Sequence, residues 1–142
     1  MTRDEIRYNI RYNENLVYSY QNRVRELNSE IQQLQNLRAK IKSLQTQFES
    51  RQSKRKTKLN NIFSNKLNVK MANVYATSMK SLLTGSEYAN AYNGLSTAQD
   101  SVNSKIRSIQ KEIDSCNAEI SYRRNRVSYW ESQLRYAEKK EG

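Results

Sequence analysis

Residues 102–137 read VNSKIRSIQKEIDSCNAEISYRRNRVSYWESQLRYA, and their spacing decides the fold. Steps of four and three alternate through Val102, Ile106, Ile109, Ile113, Cys116, Ile120, Arg123, Val127, Trp130, Leu134 and Ala137. Carried back through Gln99, Leu95 and Tyr92 to Tyr88, the walk has fifteen positions, of which thirteen are apolar. A repeat averaging 3.5 residues keeps one narrow seam of a helix against a neighbouring helix, so the segment predicts a supercoiled partner. Gly94 falls off this seam. At about 1.5 Å per residue, a helix over about 86–138 would be roughly 80 Å long, which predicts an elongated molecule.

The same walk works at the other end of the chain. It gives Ile6, Ile10, Asn13, Val17, Tyr20, Val24, Leu27, Ile31, Leu34, Arg38, Ile41, Gln45 and Phe48, ten of thirteen apolar. Leu37 and Leu44 widen that stripe, as when more than one neighbour is packed. Thr2 followed by Glu5 predicts a capping box at the start. A helix over about 3–50 follows. The seam then vanishes through Arg51, Gln52, Ser53, Lys54, Arg55, Lys56, Thr57 and Lys58, where a solvated helix and a loose corner both fit, with the balance towards a kink or short loop. It resumes as Leu59, Phe63, Leu67, Met71, Val74, Ser78 and Leu82, predicting a helix over about 59–83. Gly85 suits the left-handed closure of that helix and Ser86 the start of the next, placing a turn at 84–86.

Composition agrees. The 142 residues include no proline and three glycines, and 36% are apolar. Such a chain lacks the punctuation for hairpins and has too little apolar mass for a broad core. The expectation is all-α: an elongated antiparallel helical hairpin or coiled coil, one unit over 1–142. No apolar run is long enough for a membrane span or a signal-peptide core, so the expected location is cytoplasmic.

Catalysis lacks its parts. There is no histidine, and Cys116 is the one cysteine, so an internal disulfide and a thiolate metal site are excluded. The glycines, Gly85, Gly94 and Gly142, form no phosphate-cradling loop. No enzyme, metal or cofactor is expected. Cys116 lies on the seam, where a small buried apolar residue is the ordinary occupant.

Net charge is +11, and residues 51–80 hold eight basic residues and no acidic one. The patch Arg51, Lys54, Arg55, Lys56 and Lys58 reads as a solvated face or a docking site for an acidic protein partner, with nucleic acid or an anionic surface as the lesser reading. Ten tyrosines are present; Tyr122, Tyr129 and Tyr136 recur every seven residues and mark a second stripe beside the seam. Two stripes on one helix suggest a further helix docking from outside, since tyrosine is enriched at interfaces. A hairpin hinged at Gly85 would set Ala137 beside position 33. Either the first helix then folds back as a third rod, or Ile10, Val17, Tyr20, Val24, Leu27, Ile31 and Leu34 are left as a partner interface, which is the expectation.

Leu83-Thr84-Gly85, followed by Tyr88 and Tyr92, resembles the WxG turn of the small helical-hairpin proteins of Gram-positive type VII (Esx-type) secretion, with leucine in place of tryptophan. The longer first half resembles the small helical proteins encoded beside LXG-domain toxins. That resemblance implies a targeting factor or chaperone-like partner that binds the toxin's helical N-terminal domain, alone or with another small helical protein. The family's export signal, a tyrosine followed four residues later by an acidic residue, is absent, since Gln133 follows Tyr129 and Lys140 follows Tyr136. The resemblance therefore implies an adaptor that stays behind or leaves with its partner. The residues alone leave two alternatives: a structural homo-oligomeric coiled coil, and an accessory polyanion binder using 51–80.

Overall fold

The structure is a computed structural model that describes residues 1–64, 74, 77–79, 81 and 85–141, without the side chains of 61–64 and 86. Two long helices dominate it: α1, Arg3–Ser64, and α2, Ser86–Glu141. Among the described residues there is no strand. The fold is an all-α helical hairpin.

The N-terminus of α1 is closed by the capping box that Thr2 and Glu5 announce. The Thr2 backbone N–H donates to Glu5 Oε2 at 2.8 Å, and the Glu5 backbone N–H donates to Thr2 Oγ1 at 3.2 Å. Two amides that a helix start leaves without partners are satisfied reciprocally.

Contacts divide the chain into two compact units, Met1–Gln33 with Lys105–Gly142, and Leu34–Ser104. The sequence suggested one. A helix touches only the stretch of neighbour alongside it, so contacts gather segment by segment.

In the first unit the two helices run antiparallel. Arg3 pairs with Glu141 and Arg7 with Glu138 near one end, and Arg23 with Glu112 further along. Between them Ile6, Leu27, Ile109, Ile113, Cys116 and Ile120 are buried. Every position of the four-three walk in this unit, on both helices, is buried or half-buried. The second unit is antiparallel too, with Arg38 beside Asn103, Gln45 beside Ser96 and Phe48 beside Tyr88. Its buried apolar residues include Ile41, Leu59 and Val102.

Three sequence expectations need correction. First, residues 51–58 are helical, so the corner is not there and α1 continues to Ser64. Nothing in that stretch stops a helix, and of the two seam positions between Phe48 and Leu59, Gln52 is buried and Arg55 exposed, so the seam narrows but the helix continues. Second, Val74 and Ser78, expected to continue the seam, are exposed; Leu67, Met71 and Leu82 lie outside the described residues. Third, the hairpin is not folded about Gly85. Ile6 to Leu34 lie on the seam of this same chain, with Leu27 fully buried. The hinge estimate failed because it set α2 beside residues 59–83, whereas Arg23 pairs with Glu112 and Phe48 with Tyr88, so α2's neighbour in each unit is α1.

Seam truncations test the packing. Ile109→Ala and Ile113→Ala should each lower unfolding free energy by about 2–5 kcal/mol in urea titrations. Gly94 lies within α2, and a Cβ there would meet nothing within 4 Å. Gly94→Ala should therefore raise stability by about 1 kcal/mol, read as a higher thermal midpoint.

Candidate protein-binding surface

Four polar residues of the seam find partners on the facing helix, whereas Gln52 Nε2, which is buried, makes no hydrogen bond. Asn13 is buried and its Oδ1 accepts from Arg123 Nη1 at 3.2 Å, while its Nδ2 donates to the Asn9 carbonyl at 2.7 Å. Arg123 Nε faces Glu119 Oε2 at 3.5 Å; neither of these two buried atoms completes a hydrogen bond, so the pair is held by charge alone. In the second unit Arg38 Nη1 donates to Asn103 Oδ1 at 2.9 Å and Gln45 Nε2 to Ser96 Oγ at 2.9 Å. Asn13, Arg38, Gln45 and Arg123 are four of the positions that interrupt the apolar walk. Polar groups inside a helical seam specify alignment, because any other register strands them against hydrocarbon.

The flanks of the first unit carry the tyrosines. Tyr122, Tyr129 and Tyr136 are 53%, 46% and 61% exposed. Each ring is flanked by a cation of its own helix: Arg123 lies 5.0 Å from the Tyr122 centroid, Arg126 4.6 Å from Tyr129, and Lys140 5.3 Å from Tyr136. Arg126 also lies 5.3 Å from the ring of Trp130. Cation–π contact at exposed sites is worth about 0.5–1 kcal/mol, enough to bias rotamers and hold the rings as a preformed ladder. On α1, Tyr8 and Tyr12 stack at 6.4 Å and both are exposed. In heptad phase Tyr12 and the three α2 tyrosines belong to the flank marked by the Arg23–Glu112 bridge. That bridge, together with Glu26, raises the Arg23 pKa, first through the hydrogen bond to Glu112. The opposite flank holds a shallow groove of about 430 Å³ lined by Glu14, Val17, Arg124, Val127, Ser128 and Glu131.

The expected interface residues are therefore redistributed. Leu27 is buried, and Ile10, Val17, Tyr20, Val24, Ile31 and Leu34 are half-buried along the seam. They hold the two helices together, and an outside partner meets at most their edges. The tyrosine stripe stays open. In the second unit Arg51, Lys54, Arg55, Lys56 and Lys58 are all exposed. Of the turn motif, Leu83 lies outside the described residues. Gly85 forms a bend, and its carbonyl accepts from the Ala89 N–H at 3.4 Å, so it caps the start of α2; the helix end expected before it lies outside the described residues. Tyr88 stacks on Phe48 at 4.9 Å and 8°, and on Tyr92 at 6.3 Å. The Tyr92 hydroxyl bonds to Glu49, which holds its pKa above the phenol value of 10.0. That contact is intact below the ordinary phenol range and is lost as pH rises through the raised value.

Sequence reasoning did not find the cations that flank the tyrosines, although Arg126 three residues before Tyr129 and Lys140 four after Tyr136 are helical neighbours. Among the described residues no cluster of histidine, cysteine, aspartate and glutamate could hold a metal ion, and no helix is long and apolar enough to cross a membrane. Compared with known proteins, the chain matches no family model, no curated protein and no solved structure.

The polar layer can be tested by a double-mutant cycle. Asn13→Ala and Arg123→Ala should each destabilise, and together less than additively, with a coupling of about 0.5–3 kcal/mol. Asn13→Leu with Arg123→Met should raise the unfolding midpoint while broadening the amide NMR spectrum through slipped registers.

Proposed function

We propose that this chain is a non-enzymatic targeting factor or chaperone-like partner of a type VII secreted, LXG-type toxin, acting by helix-on-helix docking. The observation that carries the docking part is the exposed ladder of Tyr122, Tyr129 and Tyr136, each held by a cation, on a helix whose other stripe is already packed. Large aromatic side chains at heptad spacing offer contact area at low entropy cost, and a further helix laid along them completes a bundle. The toxin part rests on the LxG-like sequence Leu83-Thr84-Gly85 with Tyr88 and Tyr92 after it. In this reading the protein acts in the cytoplasm and stays behind or leaves with the toxin.

The work of the chain is then division of labour within α2. Its seam holds α1; its tyrosine flank receives the toxin's helical N-terminal domain. The partner's ordering would be coupled to binding, and tyrosines already fixed by cations lower the entropy cost on this side.

Co-purification from the native cell tests both parts. The triple variant Tyr122→Gln, Tyr129→Gln, Tyr136→Gln should weaken toxin binding by about 100-fold or more and stop its export, with far-UV circular dichroism unchanged. Wild-type toxin retention by the triple variant sinks the docking face. Loss of self-association through the same substitutions, with no toxin bound by the wild type, transfers the reading to a homo-oligomeric structural protein.

A further inference from the structure

Exposed leucines are out of place on a helix whose seam is satisfied. Leu37 and Leu44 on α1 are 45% and 53% exposed, although the sequence suggested a second packed neighbour for them. They stand seven residues apart, and the same column continues through Arg51 and Lys58. Lys40, Gln47 and Lys54 fill the adjacent column, and all seven side chains are exposed. One face of α1 in the second unit thus presents two leucine layers, with Lys40 between them, followed by two cationic ones. At about 1.5 Å per residue the four layers span roughly 31 Å, the length of a helix of three heptads.

The charge on this face is unanswered among the described residues. Among the described residues Arg51, Lys54 and Lys58 make no ion pair. Residues 51–80 contain no acidic residue, so the segment that follows cannot neutralise them. A second copy would bring the same excess, since residues 34–104 carry eleven basic and three acidic residues. The occupant must be acidic and must also cover leucine.

We infer that this face of α1 docks an acidic amphipathic helix of a partner protein, with apolar residues against Leu37 and Leu44 and carboxylates against Arg51, Lys54 and Lys58. A bilayer is the poorer fit. Membrane-surface helices separate apolar and basic residues around the axis, whereas here, Lys40 apart, the cations of this face follow the leucines along it. Nucleic acid uses the cations and leaves the leucines idle. A helix in heptad register uses both, with hydrocarbon supplying affinity and charge fixing direction. The inference rests on the protein-binding part of the proposal above and is independent of the secretion route and of the tyrosine ladder.

The test uses the full chain and a fluorescent synthetic helix with leucine at two successive heptad layers and glutamate at the next two. Binding is read by anisotropy at near-physiological salt. The peptide should bind, and both Leu37→Gln with Leu44→Gln and Arg51→Glu with Lys54→Glu and Lys58→Glu should weaken it by about tenfold or more. The charge-reversed chain should regain binding to a peptide with lysine in place of glutamate. Circular dichroism checks that these exposed substitutions leave the helices intact. Three results overturn the inference: no binding above the lysine peptide, unchanged binding by the leucine variant, or tighter binding of phosphatidylserine vesicles or duplex DNA at the same salt. Toxin co-purification is scored separately, so either reading can fail alone.

Discussion

Asn13 and Arg123 meet inside an otherwise apolar seam, 3.2 Å apart, one from each long helix. Hydrocarbon contact alone is tolerant of register: sliding one helix past another by a heptad restores much the same burial. A buried amide and a guanidinium are not tolerant, since either one left against isoleucine loses its hydrogen bonds and gains none. The alignment that satisfies Asn13 also brings Arg23 to Glu112 and Arg7 to Glu138 in the same unit. The surface bridges add little individually. Their agreement with the buried pair makes one register preferred over its neighbours.

Because the seam is narrow, most of each helix remains in water, and the surface chemistry is decided by what stands beside the seam. In the first unit that is tyrosine with cations over or beside the rings. In the second it is leucine giving way to lysine and arginine. The first surface is amphipathic at each residue, the second from one end to the other. Both suit helices as partners, and the difference between them gives each a distinct preference: aromatic contact for one, carboxylate for the other.

Much of this was legible in the residues. The capping box, the four-three walk, the burial of Cys116 and the start of α2 at Ser86 follow from local spacing, where the helix itself fixes which side chains are neighbours. The polar interruptions were visible as well, at Asn13, Arg38, Gln45 and Arg123. Their partners were not, because pairing across helices depends on alignment, and alignment depends on where the chain reverses. The basic run at 51–58 misled for a related reason. The loss of the apolar seam tipped the balance towards a corner, but a helix needs no seam residue in every turn, and the solvated helix, with Gln52 buried, is what forms.

By itself the sequence determined that the chain is helical, that each helix has one packed seam, and that the positive charge lies in one stretch. Those properties depend on separations of three, four and seven residues, which backbone geometry fixes without reference to the rest of the molecule. The tertiary structure decided that the seam of residues 6–33 is covered by residues 105–141 of the same chain. It also decided that, among the described residues, the tyrosine ladder and the Leu37–Lys58 face are left open. Which stripes find a neighbour depends on the reach of α1 to Ser64 and the resulting antiparallel register, a long-range outcome that no local spacing encodes.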